Sequence, residues 1–411
     1  MIKHFDVVVV GSGPGGFTSA LILARQGFKT ALVEREKLGG TCLQRGCIPK
    51  EGMYQIARSA HFLKKRLGVS VPLDFEKALL KVRERINKIE ENAKFLLKKE
   101  GIVLVEGSAK LVDEKVIKVG RNTYLKADHI ILACGSRQKE AGVSAEDLLT
   151  GKVKPKGKIL IEGSGATACE LSFILSVFGF EVFLKVEGRL LKDYPVEEEF
   201  VEKLERELEM CGVKFTTTNE DADLLVKATG RVPNLCEEEF PFLERDEEGY
   251  VKVSPYMRTN LQNVYAVGDI TKPMGASHAI AKAKSACQCI MGCPQPYRPE
   301  LVPVVICSAL ELGFVGSMKE GRRIVKTLNA NTKSFVNGWN GMISIIVDEE
   351  ERLSYSSMLG ECVSEPMNIA SAIIGSALWD QFFFSNNYTH PSICESFSDL
   401  SLEFMFNLLN L

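Results

Sequence analysis

The hydrophobic and polar positions along the chain predict an alternation of strands and helices. Apolar runs at residues 5–10 and 30–34 have the length of buried parallel strands, and a helical pattern connects them. A second unit of this kind is predicted from a strand at residues 158–162, a helix at 168–178 and a strand at 181–186. The pattern therefore predicts an α/β fold that contains two Rossmann-like βαβ units.

A glycine-rich turn follows the first strand of each unit. Residues 11–16 read GSGPGG, and residues 163–168 read GSGATA. Such glycines permit a tight turn and a close approach of the backbone to a pyrophosphate, which binds at the N-terminus of the next helix. Glu34 ends the second strand of the first unit, 18 residues after Gly16, where a carboxylate binds a ribose hydroxyl. Two dinucleotide sites are predicted.

Two cysteines lie five positions apart directly after the first unit, in the segment GGTCLQRGCIP at residues 39–49. Cys42 and Cys47 can close a small disulfide, accept two electrons and reopen as a dithiol. The alternative is a pair of buried core cysteines, which the surrounding glycines and the neighbouring nucleotide loop disfavour. A nucleotide site beside a redox-active cysteine pair predicts a thiol–disulfide flavoenzyme.

The cysteine segment resembles that of the FAD-dependent pyridine nucleotide–disulfide oxidoreductases, and among them it is most similar to dihydrolipoamide dehydrogenase. Further segments resemble this family in the family's order: IILACGS at 130–136, GSGATA at 163–168, TGRVPN at 229–234, VYAVGD at 264–269 and HPSICE at 390–395. The resemblance implies an FAD domain, an NAD domain and a C-terminal α+β interface domain. It places them at residues 1–148 with 259–299, at 149–258 and at 300–411.

The resemblance also implies roles for single residues. Cys42 would exchange with the substrate, Cys47 would act beside the flavin, and a Lys50–Glu170 pair would lie near it. His390 would be the base, oriented by Glu395 and contributed by the partner chain, so a homodimer is expected. Cofactor contacts are expected at Gly11, Gly13, Gly15, Gly16, Glu34, Gly40, Thr41, Gly107, Gly135, Ser136, Gly268 and Asp269, and at Gly163, Gly165, Ala168, Glu187, Gly230 and Arg231.

The chain departs from the family pattern in two places. Only residues 216–222 stand where the family inserts a three-stranded meander, so the NAD domain is expected to be small. Lys282 stands where the family has a glutamate, one turn after His278, and the sequence offers no explanation for it.

The identity of the nicotinamide coenzyme depends on the end of the second strand of the second unit. Glu187 favours NAD, because an acidic group there binds a ribose hydroxyl. Lys185 and Arg189 flank the site, and Ala168 replaces a glycine as in several relatives that use NADP. NAD is favoured and NADP stays open.

Composition limits the kinds of binding partner and the cellular compartment that are expected for this protein. A formal net charge of −2 gives no reason to invoke nucleic acid or an anionic membrane. No apolar run has the length of a membrane span, and the first strand begins near Met1, so a cytoplasmic protein is expected. The other ten cysteines are expected to be reduced and mostly buried, including Cys287, Cys289 and Cys293, which could alternatively hold a metal.

Three functions remain open at this point. The first is oxidation of a dihydrolipoyl group, free or on a separate lipoyl-carrying protein, with reduction of NAD. The second is reduction of a small disulfide such as glutathione by a reduced nicotinamide. The third, suggested by the shortened NAD domain and Lys282, is a flavoprotein subunit that passes electrons within a larger complex.

Overall fold

A computed structural model describes residues 2–408. The helices are α1 (Pro14–Arg25), α2 (Gly40–Gln44), α3 (Cys47–Leu67), α4 (Phe75–Lys99), α5 (Ala145–Thr150), α6 (Ala166–Val177), α7 (Glu198–Met210), α8 (Ala276–Ile290), α9 (Thr332–Asn337), α10 (Ser364–Ile373), α11 (Trp379–Ser385) and α12 (Ser396–Leu408). Within the described residues, none of these helices is long and apolar enough to cross a membrane.

The strands alternate with these helices in the first half of the chain and dominate between α8 and α10. They are β1 (Ile2–Val10), β2 (Thr30–Glu34), β3 (Val103–Glu106), β4 (Ala109–Asp113), β5 (Val116–Val119), β6 (Thr123–Leu132), β7 (Ser136–Gln138), β8 (Val143–Ser144), β9 (Lys158–Glu162), β10 (Glu181–Lys185), β11 (Val213–Thr216), β12 (Leu224–Lys227), β13 (Arg231–Pro233), β14 (Val264–Ala266), β15 (Val304–Cys307), β16 (Glu311–Gly316), β17 (Gly321–Thr327), β18 (Met342–Asp348) and β19 (Leu353–Gly360).

The chain divides into two compact units. The first contains the residues up to Met53, Asp74–Lys154 and Thr229–Arg298, and the second contains Tyr54–Leu73, Pro155–Ala228 and the residues from Pro299 onward. The predicted α/β architecture is confirmed, because each unit contains a parallel sheet of the Rossmann type. The three domain boundaries expected from the resemblance stay a prediction.

The first unit is built on a sheet with the strand order β3-β2-β1-β6-β5-β4, in which β14 also pairs with β6. Strands β3, β2, β1, β6 and β14 run parallel, so their carboxyl ends meet at one edge. Both faces are covered: Val7 and Val9 pack on the side of α1 and α8, whereas Val8 and Val10 pack on the side of β4 and β5. The near-continuous apolar run of β1 reflects this burial on two faces.

The second unit contains a parallel run with the strand order β11-β10-β9-β12 and an antiparallel sheet with the order β15-β16-β19-β18-β17. Residues 217–223 form no strand, and β12 follows β11 along the chain, as the short sequence between them predicts. Helices α10, α11 and α12 share a core with the antiparallel sheet, in which Trp379, Phe383 and Phe397 are almost fully buried.

Candidate active site

The glycine turn after β1 forms the base of the first nucleotide site. Gly11 has a φ of 98°, and a Cβ there would overlap the carbonyl of Ala133. A Cβ at Gly16 would overlap the carbonyl of Gly11, so only glycine fits these two positions. Gly13 caps the N-terminus of α1 without a side-chain hydrogen bond and faces open space, and Gly15 is buried in the first turn. This uncapped helix end fits the pyrophosphate of FAD.

Glu34 lies beside the glycine turn at the end of β2, as predicted. Its Oε2 accepts hydrogen bonds from the backbone nitrogen of Ser12 at 2.8 Å and from Ser12 Oγ at 2.6 Å. The backbone nitrogen of Gly107, directly after β3, donates to the carbonyl of Glu34 at 2.8 Å. The sheet edge therefore presents a buried carboxylate where the ribose of a dinucleotide is expected.

Asp269 follows β14 at the same edge, within the 3-10 turn Gly268–Ile270. Its Oδ2 accepts a hydrogen bond from Ser136 Oγ at 2.7 Å, and its Oδ1 accepts one from the backbone nitrogen of Gly275 at 2.8 Å. Gly135 and Gly268 adopt positive φ angles of 74° and 75°. These contacts fix the orientation of a carboxylate that fits the ribityl hydroxyls of FAD.

Arg231 belongs to the same group of residues. Its Nε donates to Ser136 Oγ at 2.7 Å, and its Nη2 donates to the carbonyl of Ser136 at 2.7 Å. The carbonyl of Gly230 accepts a hydrogen bond from the backbone of Lys139, which joins β13 to β7. Gly230 and Arg231 thus lie in the first unit, with the residues expected to contact FAD.

Cys42 lies in α2 and Cys47 begins α3. Gly40 and Thr41 precede Cys42, and a Cβ on Gly40 would lie 3.0 Å from the Cα of Gly13. This close approach packs the cysteine segment against the first glycine turn. The structure therefore brings the two thiols and the nucleotide turn together, as the sequence predicts.

The two thiols interact directly. A hydrogen bond to Cys47 and burial raise the pKa of Cys42 above its ordinary value, and the charge of Asp269 acts in the same direction. Lys50, one turn into α3, opposes this shift with its positive charge. The pKa of Cys42 therefore lies above its ordinary value, and Cys47 stands at the N-terminus of a 21-residue helix.

Glu170 is buried in α6, and its Oε1 accepts a hydrogen bond from the backbone nitrogen of Cys307 at 3.1 Å. Lys50 belongs to the first compact unit and Glu170 to the second. The expected Lys50–Glu170 pair stays a prediction.

His390 and Glu395 are brought together, as the family resemblance implies. Nδ1 of His390 lies 2.7 Å from Glu395 Oε1, and Glu395 Oε2 accepts the backbone N–H of Ser392 at 2.8 Å. This backbone hydrogen bond and the contact with His390 hold the pKa of Glu395 below its ordinary value. Because Nδ1 faces the carboxylate that orients the ring, the other nitrogen, Nε2, faces away from it. The His390 side chain is 69% exposed.

The second glycine turn connects β9 to α6. A Cβ at Gly163 would overlap the carbonyl of Ala228, and Gly165 caps α6 without a side-chain hydrogen bond. Ala168 is fully buried in the first turn. The hydroxyl of Tyr194 interacts with the backbone N–H of Ala166 at this helix end. The turn fits a pyrophosphate, which would compete with the Tyr194 hydroxyl for the backbone N–H of Ala166. No sequence motif indicated Tyr194.

The charged side chains around the expected nicotinamide ribose differ in whether other groups of the protein bind them. Glu187 is exposed two residues after the end of β10. Lys185 Nζ lies 3.0 Å from Glu162 Oε1 and 2.9 Å from Asn219 Oδ1, and Arg189 donates to the carbonyl of Val196. The two basic side chains are thus engaged by groups of the protein, whereas the carboxylate of Glu187 faces solvent.

Lys282 has a structural explanation that the sequence did not provide. Its side chain is fully buried in α8, and Nζ donates to the carbonyls of Gly268, Thr271 and Pro273 at 3.3, 2.9 and 2.7 Å. Burial lowers the pKa of Lys282 to about 7, against the opposing charge of Asp269. The amine ties α8 to the turn that carries Asp269.

Replacement of Lys282 by Met should change how stability depends on pH. An unfolded lysine titrates near 10.4, so between about pH 7 and pH 10 the unfolded chain binds a proton that the folded chain does not. The free energy of unfolding of the wild type should therefore rise with pH by up to about 1.4 kcal/mol per pH unit from this group. Urea unfolding at pH 7 and pH 9 should show a smaller rise in the variant.

Lys284, two residues along α8 and exposed, provides the matched control. The Lys284→Met variant should keep the pH dependence of the wild type. An equal rise in the wild type and in Lys282→Met would contradict the assignment of this titration to Lys282.

The cysteines at the end of α8 are only partly as expected. Cys287 and Cys289 are buried, but Cys293 is exposed because α8 ends at Ile290 and Gly292 turns the chain. The expectation that all three are buried is therefore wrong for Cys293. No group of three or more His, Cys, Asp or Glu side chains that could hold a metal is found among residues 2–408.

Two dinucleotide-binding turns, an interacting thiol pair beside the first and an oriented histidine together define a class of flavin-dependent disulfide oxidoreductases. The family model described as pyridine nucleotide-disulphide oxidoreductase matches residues 5–220 and 216–283. This match covers more than half of the chain. The protein belongs to this family, and it is an enzyme that uses FAD and a nicotinamide coenzyme.

Curated relatives agree with this assignment. A dihydrolipoyl dehydrogenase of Haloferax volcanii is 27% identical over 95% of this chain and 94% of its own length. A dihydrolipoyl dehydrogenase of Corynebacterium glutamicum is 30% identical over 69% of this chain and 70% of its own length. Among solved structures, the HOCl-induced flavoprotein disulfide reductase RclA from Escherichia coli has a TM-score of 0.84 and 21% identity, covering 97% of this chain and 99% of RclA. At that identity the likeness concerns the fold alone.

Proposed function

We propose that the protein oxidises a dihydrolipoyl group and reduces NAD, with Cys42 and Cys47 as the redox pair. The observation that carries the proposal is the hydrogen-bonded thiol pair packed against the first glycine turn. The names of the full-length relatives support the dihydrolipoyl group as the substrate. In this proposal the lipoyl group is free or belongs to a separate protein.

Cys42 and Cys47 would take different parts in the reaction. Attack on a disulfide requires a thiolate, so a thiol of the dihydrolipoyl group would lose its proton and attack Cys42 in the Cys42–Cys47 disulfide. The contact with Cys47 and burial raise the pKa of Cys42, which suits a sulfur that takes up a proton once the disulfide has opened. Cys47 would act on the flavin side of the pair. FAD, when bound, supplies the two-electron chemistry between this dithiol and the nicotinamide.

His390 is the proposed base for the substrate thiol. Glu395 holds Nδ1 at 2.7 Å, so the second nitrogen of the imidazole is directed outward to accept a proton. Its 69% exposure within one chain suits a histidine that completes the site of a second chain. The proposal therefore includes a homodimer in which each chain supplies His390 to its partner, and a division of the chain at residues 148, 258 and 299.

The FAD contacts in this proposal follow the edge of the first sheet. The N-terminus of α1 would bind the pyrophosphate, Glu34 would bind the ribose of the adenosine, and Asp269 would bind the ribityl chain. Lys50 would act on the flavin side of the thiol pair. The Lys50–Glu170 pair remains part of the proposal.

NAD should be preferred to NADP by a large factor. A 2′-phosphate would meet the exposed carboxylate of Glu187, while Lys185 is already bound to Glu162 and Asn219. The ratio of kcat/KM for NAD to that for NADP should therefore fall in Glu187→Arg, because the substitution replaces repulsion by attraction. Steady-state rates with both coenzymes test this expectation. An unchanged ratio would remove Glu187 from coenzyme selection.

The test of the proposed function is the reduction of NAD by dihydrolipoamide, using purified FAD-loaded protein. Fast turnover supports the proposal. Turnover with reduced nicotinamide and oxidised glutathione, and none with dihydrolipoamide, would favour reduction of a small disulfide instead. Reduction of the flavin by dihydrolipoamide without transfer to NAD would indicate a subunit that passes electrons to another protein.

A further inference from the structure

The segment between the two cysteines is anchored to its surroundings. The side chain of Gln44 is buried, and its Nε2 donates to the carbonyl of Leu38 at 2.8 Å and to Glu90 Oε2 at 3.0 Å. Arg83 donates to the carbonyl of Gln44. The chain is therefore fixed in α2 on the Cys42 side of the segment, independently of any covalent bond between the sulfurs.

Arg45 anchors the other half of the segment. Its Nη1 donates to Glu36 Oε2 at 2.6 Å, and its Nε lies 3.0 Å from Glu146 Oε2. Hydrogen bonds between charged groups are shorter and stronger than neutral ones. The Arg45 and Glu146 side chains are 30% and 24% exposed, so water screens them less than a fully exposed pair.

Glu146 connects Arg45 to the residues expected at FAD. Its other oxygen, Oε1, binds Arg231 Nη1, and Arg231 in turn donates to Ser136. Ser136 Oγ donates to Asp269 Oδ2 at 2.7 Å. We call Arg45, Glu146, Arg231, Ser136 and Asp269 the Arg45–Asp269 network. All five lie in the first compact unit.

An anchored segment changes the equilibrium between dithiol and disulfide. Cys42 and Cys47 are within hydrogen-bonding reach of each other in this structure. Closing a ring costs less conformational entropy when the residues inside it are already fixed. A dithiol held in this way forms its disulfide more readily, and its reduction potential is correspondingly more negative.

We propose that Arg45 and Glu146 are positioning residues, which hold Cys42 and Cys47 in the arrangement of their disulfide and so favour the oxidised pair. The proposal rests on the proposed function in one respect, that these two cysteines are the redox pair. In the half-reaction, the two thiols lose two electrons and two protons and one sulfur–sulfur bond forms. An external disulfide takes up the electrons and protons and becomes two thiols.

The test is the equilibrium between the two cysteines and a thiol buffer. FAD-loaded wild type and Arg45→Met are equilibrated with mixtures of reduced and oxidised dithiothreitol, free thiols are alkylated, and the disulfide-linked peptide is quantified by mass spectrometry. The equilibrium constant for disulfide formation should fall about tenfold in Arg45→Met, which corresponds to a potential about 30 mV less negative. In Arg45→Lys the equilibrium constant should lie between those of the wild type and Arg45→Met, because an ammonium group lacks the planar set of donors with which a guanidinium binds two carboxylates.

Arg25 provides a matched control in the same unit. It donates to Glu100 Oε1 through Nε at 3.0 Å and Nη2 at 2.9 Å, but it lies at the end of α1, outside the network. Arg25→Met should leave the equilibrium constant unchanged. An unchanged constant in Arg45→Met, or an equal fall in Arg25→Met, would overturn the proposal.

Glu146→Gln tests the network without altering the cysteine segment. The equilibrium constant for disulfide formation should also be lower in this variant than in the wild type. In the double variant with Arg45→Met, the constant should be no lower than in Arg45→Met alone. Fully additive effects would overturn the link between the two residues. If the wild type forms no Cys42–Cys47 disulfide even in oxidised dithiothreitol, the proposed function fails instead, so the two failures are distinguishable.

Discussion

Replacing Cys47 by Ser is expected to abolish dithiol oxidation while FAD stays bound. Serine cannot form a disulfide, and its hydroxyl cannot replace the sulfur that would carry electrons to the flavin. The cofactor contacts expected at Gly13, Glu34 and Asp269 do not involve this sulfur. The measurement is NAD reduction by dihydrolipoamide, together with the flavin absorbance of the purified protein.

Cys293 supplies the control for this substitution. It is also an exposed cysteine of the first unit, but it lies beyond the end of α8. Cys293→Ser should retain the activity of the wild type. If Cys47→Ser instead purifies without flavin, Cys47 has a structural role; if it turns over normally, the redox pair is not Cys42–Cys47.

Replacing His390 by Gln should lower the rate of the chemical step by roughly two to four orders of magnitude, the usual contribution of a general base. Glutamine can accept a hydrogen bond but cannot take up a proton. The substrate thiol must lose its proton before it attacks the Cys42–Cys47 disulfide, so the loss of the base should slow this attack directly. Pre-steady-state reduction of the flavin by dihydrolipoamide measures this step separately from the release of products.

Glu395→Gln distinguishes orientation from proton transfer. The amide would still contact His390 Nδ1 but would bring no charge, so the rate should fall less than in His390→Gln. Light scattering should show a dimer for both variants. Normal turnover in His390→Gln would remove this residue from the mechanism, and a fully active monomer would refute the shared site.

The positions of the motif residues could be predicted because their requirements are local in the chain. A glycine at position 11 or 16 is dictated by backbone atoms that would overlap any Cβ, and the same requirement recurs at Gly163. The spacing of His390 and Glu395 spans a single 3-10 turn, which is enough to bring Nδ1 to the carboxylate. Strand β9 was predicted at its observed bounds, because buried parallel strands form continuous apolar runs.

Other features depend on residues that are distant in the sequence. The amine of Lys282 replaces a family glutamate, and only its contacts with three carbonyls explain it. Tyr194 reaches the N-terminus of α6 from a loop that contains no motif. Cys293 was expected to be buried, but the helix ends three residues before it. Composition and periodicity do not encode such contacts.

The sequence by itself determined the α/β class, the two nucleotide turns and the Cys42–Cys47 pair, since each follows from a pattern along the chain, and the family resemblance implied the pairing of His390 with Glu395. Only the tertiary structure decided that burial and the contact with Cys47 raise the pKa of Cys42, and that Arg45 is joined to Asp269. The physical reason is that pKa shifts and ion pairs depend on distances between groups that the fold brings together. Arg231 and Ser136 are 95 positions apart in the chain and 2.7 Å apart in space.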